Sequence, residues 1–180
     1  MLLCMLFACC QEIDLAEYSK ESTNNDNPTE TLAEDVTVLG IGEGTAEHPY
    51  TVEDIRSTSP SESEEVWVIG YMVGTARTSM NNAVFSADAP NQSNILLSSD
   101  SLCSDTAICI PVELSSDKWK KELSIPTNSV HFRKCLLVKG VPSLYMRRKG
   151  LRKVSAGLWL DGFDISSVAP LDWSPIEIPF

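Results

Sequence analysis

The sequence predicts an all-β domain: a small, closed, five-stranded Greek-key barrel, with a short helix between strands three and four and another ahead of strand one. Three observations predict it. First, Glu65–Gly74 (EVWVIGYMVG) is the longest run of β-forming residues and is apolar on both alternating faces, whereas a strand buried on one side alternates apolar and polar residues. Second, four further apolar runs of strand length follow it, separated by polar or glycine-containing stretches. Third, one short amphipathic segment lies between the third and fourth of the five runs.

The formal net charge of −11 over 180 residues is unevenly spread. Cys10 to Glu65 carries 15 acidic and 2 basic residues, a net of −13, while Val66 to Phe180 carries 10 acidic and 12 basic, a net of +2. Acidity therefore belongs to the N-terminal third, and the whole-chain charge does not exclude an anionic partner. Residues 1–9 form an apolar leader, 10–35 an acidic tether with little to bury, 36–168 the barrel domain and 169–180 a proline-rich tail.

Met1–Cys10 is apolar, uncharged and too short to span a bilayer. It resembles the end of a secretory signal peptide that lacks the basic start. Leu6-Phe7-Ala8-Cys9 is similar to the lipobox of bacterial lipoproteins, which implies cleavage after Ala8 and lipidation of Cys9. The acidic stretch that follows, Gln11-Glu12-Ile13-Asp14, loosely resembles a surface-export signal, though a solvated linker accounts for it equally well. Of six cysteines, Cys103, Cys109 and Cys135 lie in the body. Cys103 and Cys109 are close enough to bridge a hairpin loop, and buried free thiols are the other reading. None has the paired spacing of a zinc site, so no metal is expected.

Within the domain, Val36–Leu39 reads as a short strand. The stretch Gly40-Ile41-Gly42-Glu43-Gly44-Thr45 then fails the dinucleotide fingerprint. Thr45 stands where the third glycine is needed, and Pro49 precedes any helix. A glycine-rich turn is expected instead, and no cofactor. Thr51-Val52-Glu53-Asp54 fits a capping box that opens a short helix ending by Ser57. Strand one follows, with a bend or bulge expected at Gly70. Thr75–Ser93 is a long polar loop with one marginal strand at Val84-Phe85. Asn94–Asp100 is strand two and Cys109–Leu114 strand three, with Pro111 pointing to an edge or bulge. Ser116 or Asp117 caps the helix carrying Trp119 and Leu123 on one face, suited to plug one barrel end. Arg133–Val141 is strand four, and Gly150–Leu160 contains strand five.

Three strands, a short helix and two more strands is the order of the OB-fold. Beyond that order, Gly44-Thr45, Pro49-Tyr50-Thr51-Val52, Val66–Gly74, Asn94–Leu97, Ile110–Leu114 and Gly150-Leu151 resemble a family of OB-fold domains of unknown function in Bacteroidetes lipoproteins. The resemblance covers roughly Gly40 to Leu160. It implies a barrel and a cell-envelope setting, as an outer-membrane lipoprotein exposed at the surface or facing inward, and implies no catalytic residues.

The chemistry-bearing residues point to binding. His48 and His131 lie in separate segments without a nucleophile–base motif, and no G-x-S-x-G or H-E-x-x-H occurs, so no enzyme is expected. Between Lys118 and Lys153, 11 basic residues stand against one acid, Glu122. The densest part, Tyr145–Lys153, is expected to be the loop joining strands four and five with the start of strand five, and that loop borders the usual OB ligand face. Trp67, Tyr71 and Tyr145 are the candidate aromatic contacts, with Arg147, Arg148, Lys149, Arg152 and Lys153 on the rim. The expectation is an envelope binding or scaffolding module for a protein or glycan partner, membrane-attached through its lipid alone. Single-stranded nucleic acid or another polyanion held by that basic loop is the alternative, solubilising charge is the plain one, and a hydrolase without a recognisable motif is the last.

Overall fold

The computed structural model describes residues 42–57 and 62–165. The lipobox with Cys9, the tether, the Val36–Leu39 strand and the tail 169–180 lie outside the described residues. Elements run in the order α1 (Val52–Ser57), β1 (Val66–Ala76), β2 (Ala83–Val84), β3 (Asn94–Ser98), β4 (Ile110–Glu113), α2 (Asp117–Leu123), β5 (Cys135–Tyr145) and β6 (Arg148–Leu160).

Five of the strands close into a barrel. β1 pairs antiparallel with β3, β3 with β4, and β6 with β5. β4 meets β6 in parallel at Val112↔Leu151, and β5 returns to β1 from Val66↔Gly140 to Tyr71↔Cys135. This is an OB-fold-like Greek-key barrel. β2 is an extra strand, paired among the described residues with the end of β1 alone.

The unbroken apolar character of β1 has a direct cause: both of its faces are covered. Val66, Val68 and Met72 point into the barrel with Ile95, Leu97, Ile110, Val112, Leu136 and Val138. Ile69, Tyr71 and Val73 point outward into a second apolar layer with Leu96, Leu137, Met80, Cys103, Cys109, Cys135 and Ile165. The helices fill the barrel interior, α1 through Val52 and Ile55 and α2 through Trp119 and Leu123. Each fully buried aliphatic side chain contributes about 1.5–3 kcal/mol.

Both short helices start as their caps dictate. In α1, Asp54 N–H donates to Thr51 Oγ1 at 3.2 Å while Thr51 N–H donates to Asp54 Oδ2 at 2.8 Å, a reciprocal capping box. In α2 the cap is Ser116, whose Oγ accepts from Trp119 N–H at 3.3 Å. Gly44, at φ 75°, makes the predicted turn, with the Glu43 and Gly44 N–H groups both donating to the His48 carbonyl at 2.9 Å.

Three expectations need correction. The bulge in β1 falls at Val73, since Met72 opposes Leu97 and Gly74 opposes Leu96. Gly70 serves a different purpose: a Cβ there would lie 2.9 Å from Val52 Cγ2, so the glycine lets α1 seat against the strand. Pro111 marks neither an edge nor a bulge, because β4 is flanked by β3 and β6. Proline is tolerated because its far side meets Gly150, whose missing side chain leaves room for the Pro111 ring and carbonyl. Finally, no long loop joins strands four and five. Tyr145 pairs directly with Arg148, so Met146-Arg147 is a two-residue turn and Arg148–Lys153 belong to β6.

Candidate anion-binding depression

The β5–β6 turn sets the geometry. Met146 and Arg147 both have positive φ, 52° and 61°, as a two-residue hairpin of the right twist requires. Neither is Gly, Asn or Asp, and the left-handed region costs an ordinary residue roughly 1–2 kcal/mol. Met146 packs against the outer apolar layer, which anchors the turn and leaves Arg147 and Arg148 exposed.

An open depression of ≈ 300 Å³ lies beside this turn, lined by Arg56, Ala107, Cys109, Leu144, Arg147, Arg148 and Lys149. Arg56 comes from the last turn of α1, Ala107 and Cys109 from the β3–β4 connection, and the remaining residues from the β5–β6 hairpin. Four cationic side chains from two separate elements therefore converge, with the exposed Leu144 among them. A second depression of ≈ 220 Å³ shares Leu144 and Lys149 and continues over Ile55, Glu62, Pro142, Ser143 and Gly150. A concave site with convergent cations and an apolar wall suits an anionic group carried on a larger molecule.

The residues singled out in the sequence divide. Arg147, Arg148 and Lys149 are brought together. Arg152 is directed elsewhere: its Nε and Nη2 donate to Glu113 Oε2 and Oε1 at 2.9 and 3.2 Å. Those bonds raise its pKa above the ordinary arginine value. Its guanidinium also lies 6.0 Å from the centre of the Tyr145 ring, so Tyr145 and Arg152 pack on each other. Lys153 is exposed in the β6 bulge at φ 52° and does not line the depression.

Trp67 and Tyr71 belong to the outer apolar layer, and Tyr71 is buried beneath the segment after β6. Its hydroxyl donates to Asp164 Oδ1 at 2.7 Å and accepts from Ile165 N–H at 2.7 Å. Burial, then the bond to Asp164, pushes its pKa up to about 12. Arg56 escaped sequence reasoning because it lies ninety residues from the hairpin. Its position in the last turn of a short helix ahead of strand one was the available signal. Of the two histidines, His131 stacks on Trp159 at 4.4 Å with its Nδ1 3.8 Å from Asp161. His48 lies in the N-terminal turn, where its carbonyl is the acceptor.

The chain is thus an OB-fold-like barrel with a basic depression at the tip of its last hairpin. Residues 50–160, well over half of it, match the family described as Domain of unknown function (DUF6359), and the chain belongs to that family. The match runs from Tyr50, which bridges Val68, to Leu160, the last residue of β6, and so takes in α1 and the whole barrel. No curated protein and no solved structure matches the chain.

Proposed function

We propose that this chain is a non-catalytic binding module of the bacterial cell envelope, lipidated at Cys9, that recognises an acidic glycan through the depression beside the β5–β6 turn. The observation that carries the reading is the convergence of Arg56, Arg147, Arg148 and Lys149 on one concave site. Two consecutive residues in the left-handed region support it, since backbone strain of this kind collects at functional sites. The resemblance to Bacteroidetes lipoproteins and the lipobox at Leu6–Cys9 supply the setting. Phosphate- or carboxylate-bearing glycans are the acidic ligands an outer-membrane surface presents. Nucleic acid is disfavoured on two grounds: an envelope protein rarely meets it, and the stacking aromatics it needs are not at this site, with Tyr71 covered and Tyr145 engaged by Arg152.

The test is binding of the 180-residue chain to acidic glycans, neutral glycans and a single-stranded oligonucleotide at low and high salt. Arg56→Ala and the pair Arg147→Ala/Arg148→Ala run alongside. Acidic glycans should bind, and their affinity should fall at least about tenfold between ~50 mM and ~500 mM salt, as ionic contacts do. Both variants should lose most of the binding. Preference for neutral glycans, or unchanged binding by both variants, would overturn the site, and preference for the oligonucleotide would replace the ligand class. Separately, Cys9→Ser should release the protein from membranes and abolish acylation.

A further inference from the structure

The connection between β3 and β4 holds two thiols that the glycan-binding reading does not use. Cys103 Sγ and Cys109 Sγ stand 3.5 Å apart, and both residues are buried. One carbonyl positions them: Asp105 O lies 3.4 Å from Cys103 Sγ and 3.2 Å from Cys109 Sγ. The turn between them, Thr106–Ile108, is fixed by the Asp105 carboxylate, which accepts from Ala107 N–H at 2.8 Å. The pair is therefore set by the fold of the connection. All three body cysteines are free thiols in this structure; Cys135 starts β5 and belongs to the same outer layer, while the 3.5 Å contact is between Cys103 and Cys109.

We propose that Cys103 and Cys109 are a disulfide-forming pair, oxidised by exchange with an external disulfide of the glutathione or protein-oxidase class, and that the bridge locks the wall of the basic depression. A disulfide needs its sulfurs about 2.0 Å apart, so each side chain has only to turn slightly about Cα–Cβ. Cys109 lines the depression, so an oxidant that enters the depression meets that residue. Its thiolate attacks one sulfur of the external disulfide, and the other sulfur leaves as a thiolate with the bonding pair. The Cys103 thiolate then attacks the Cys109 sulfur of the mixed disulfide and expels the second external thiolate. Two protein thiols are oxidised, the external disulfide is reduced to two thiols, and the protons of Cys103 and Cys109 pass to the departing thiolates. Burial, then the contact with Cys103, holds the Cys109 thiol above its ordinary pKa. Since only the thiolate attacks, exchange is slow and the free pair persists where oxidant is scarce. Ala107 and Cys109 form one wall of the depression, so the bridge fixes that wall whichever ligand it faces. The inference stands independently of the glycan reading.

The chain's own cleavage sites make a clean test. No Lys or Arg lies between Arg77 and Lys118, so both cysteines fall in one tryptic peptide, Thr78–Lys118, while the N-terminal cysteines and Cys135 fall in others. The reduced full-length chain is incubated with oxidised glutathione, alkylated in denaturant, digested and weighed. The expected product is Thr78–Lys118 lacking two hydrogens and carrying no alkyl group, reversed by dithiothreitol, with Cys135 still alkylated. Hydrogen exchange across residues 101–108 should slow in the bridged form. With both samples taken to equilibrium at the same oxidant ratio, the bridged fraction should be at least about tenfold lower in urea, because only a flexible tether then holds the thiols together. Two alkyl groups on the peptide, a glutathione adduct without a bridge, or equal bridging with and without urea would each overturn the proposal.

Discussion

Tyr71 holds the segment after β6 against the outer face of the barrel with its hydroxyl group. The group donates to the Asp164 carboxylate and accepts from the Ile165 amide, so removing it leaves a buried N–H and a carboxylate short of a partner. Tyr71→Phe should cost about 1–3 kcal/mol of stability at neutral pH, the penalty for an unmade buried hydrogen bond. The linkage sign follows from a pKa raised from 10.0 to about 12. The neutral phenol is the form the fold favours, so its contribution is complete below pH 10 and is lost as pH rises toward 12. Cys135, pushed up to about 12 by burial and then by the charge of Asp164, adds a similar loss that begins near pH 9. Urea titrations at pH 8, 10 and 12 should show stability falling with pH in the wild type and a shallower fall in Tyr71→Phe. Equal slopes would mean that the hydroxyl is not held as described. This residue also shows what a sequence leaves open: a strand covered on both faces carries no alternation from which to read which way Tyr71 points.

At the scale of elements, the β5–β6 hairpin joins fold to site. Hairpins of two residues usually place Asn-Gly or Asp-Gly in the turn, and this one uses Met146-Arg147. Replacing the pair by Asn-Gly should stabilise the domain by about 1 kcal/mol, since an ordinary residue in the left-handed region costs roughly 1–2 kcal/mol. The same replacement should weaken acidic-glycan binding by removing Arg147 and the apolar anchor of Met146. Thermal melts and a binding titration on one preparation check both halves, and a destabilised variant would show that the packing of Met146 outweighs the strain of the turn. The unusual pair also explains the sequence-level error. With no glycine or asparagine between Tyr145 and Lys149, the charged residues read as an exposed loop leading into strand five, whereas they form a tight turn and a strand. The other strands were legible because long apolar runs and two caps, Thr51 with Asp54 and Ser116, mark their own boundaries. The bulge at Val73 was displaced from the glycine that seemed to call for it, because Gly70 makes room for Val52 across the interior. That close approach exists only in three dimensions. The convergence of Arg56 on the hairpin is of the same kind.

At the scale of the whole molecule, closure of the barrel and placement of the site depend on one seam. β4 and β6 meet in parallel at Val112↔Leu151, and beside that pair Gly150 lies against Pro111. A Cβ on Gly150 would fall well inside contact distance of the Pro111 carbonyl oxygen and within 3.0 Å of the ring carbons Cγ and Cδ. The obstacle is mainly backbone, which cannot rotate away as a side chain does. Gly150→Ala should therefore cost at least about 3 kcal/mol, the upper end of ordinary overpacking, with a matching fall in the midpoint of thermal unfolding. Gly150 also lies two residues beyond Arg148 and next to Lys149, so the same substitution should reduce acidic-glycan affinity at temperatures where the variant is still fully folded. Gly157→Ala separates this effect from general destabilisation. The nearest atom to its Cβ would be at the flexible end of Leu123, at 2.9 Å, at the α2 side of the fold, so stability should fall while affinity holds. If both variants lost affinity in proportion to stability, the seam would merely support the fold. Loss confined to Gly150→Ala would mean that the parallel pairing which closes the barrel also aims the arginines of the last hairpin.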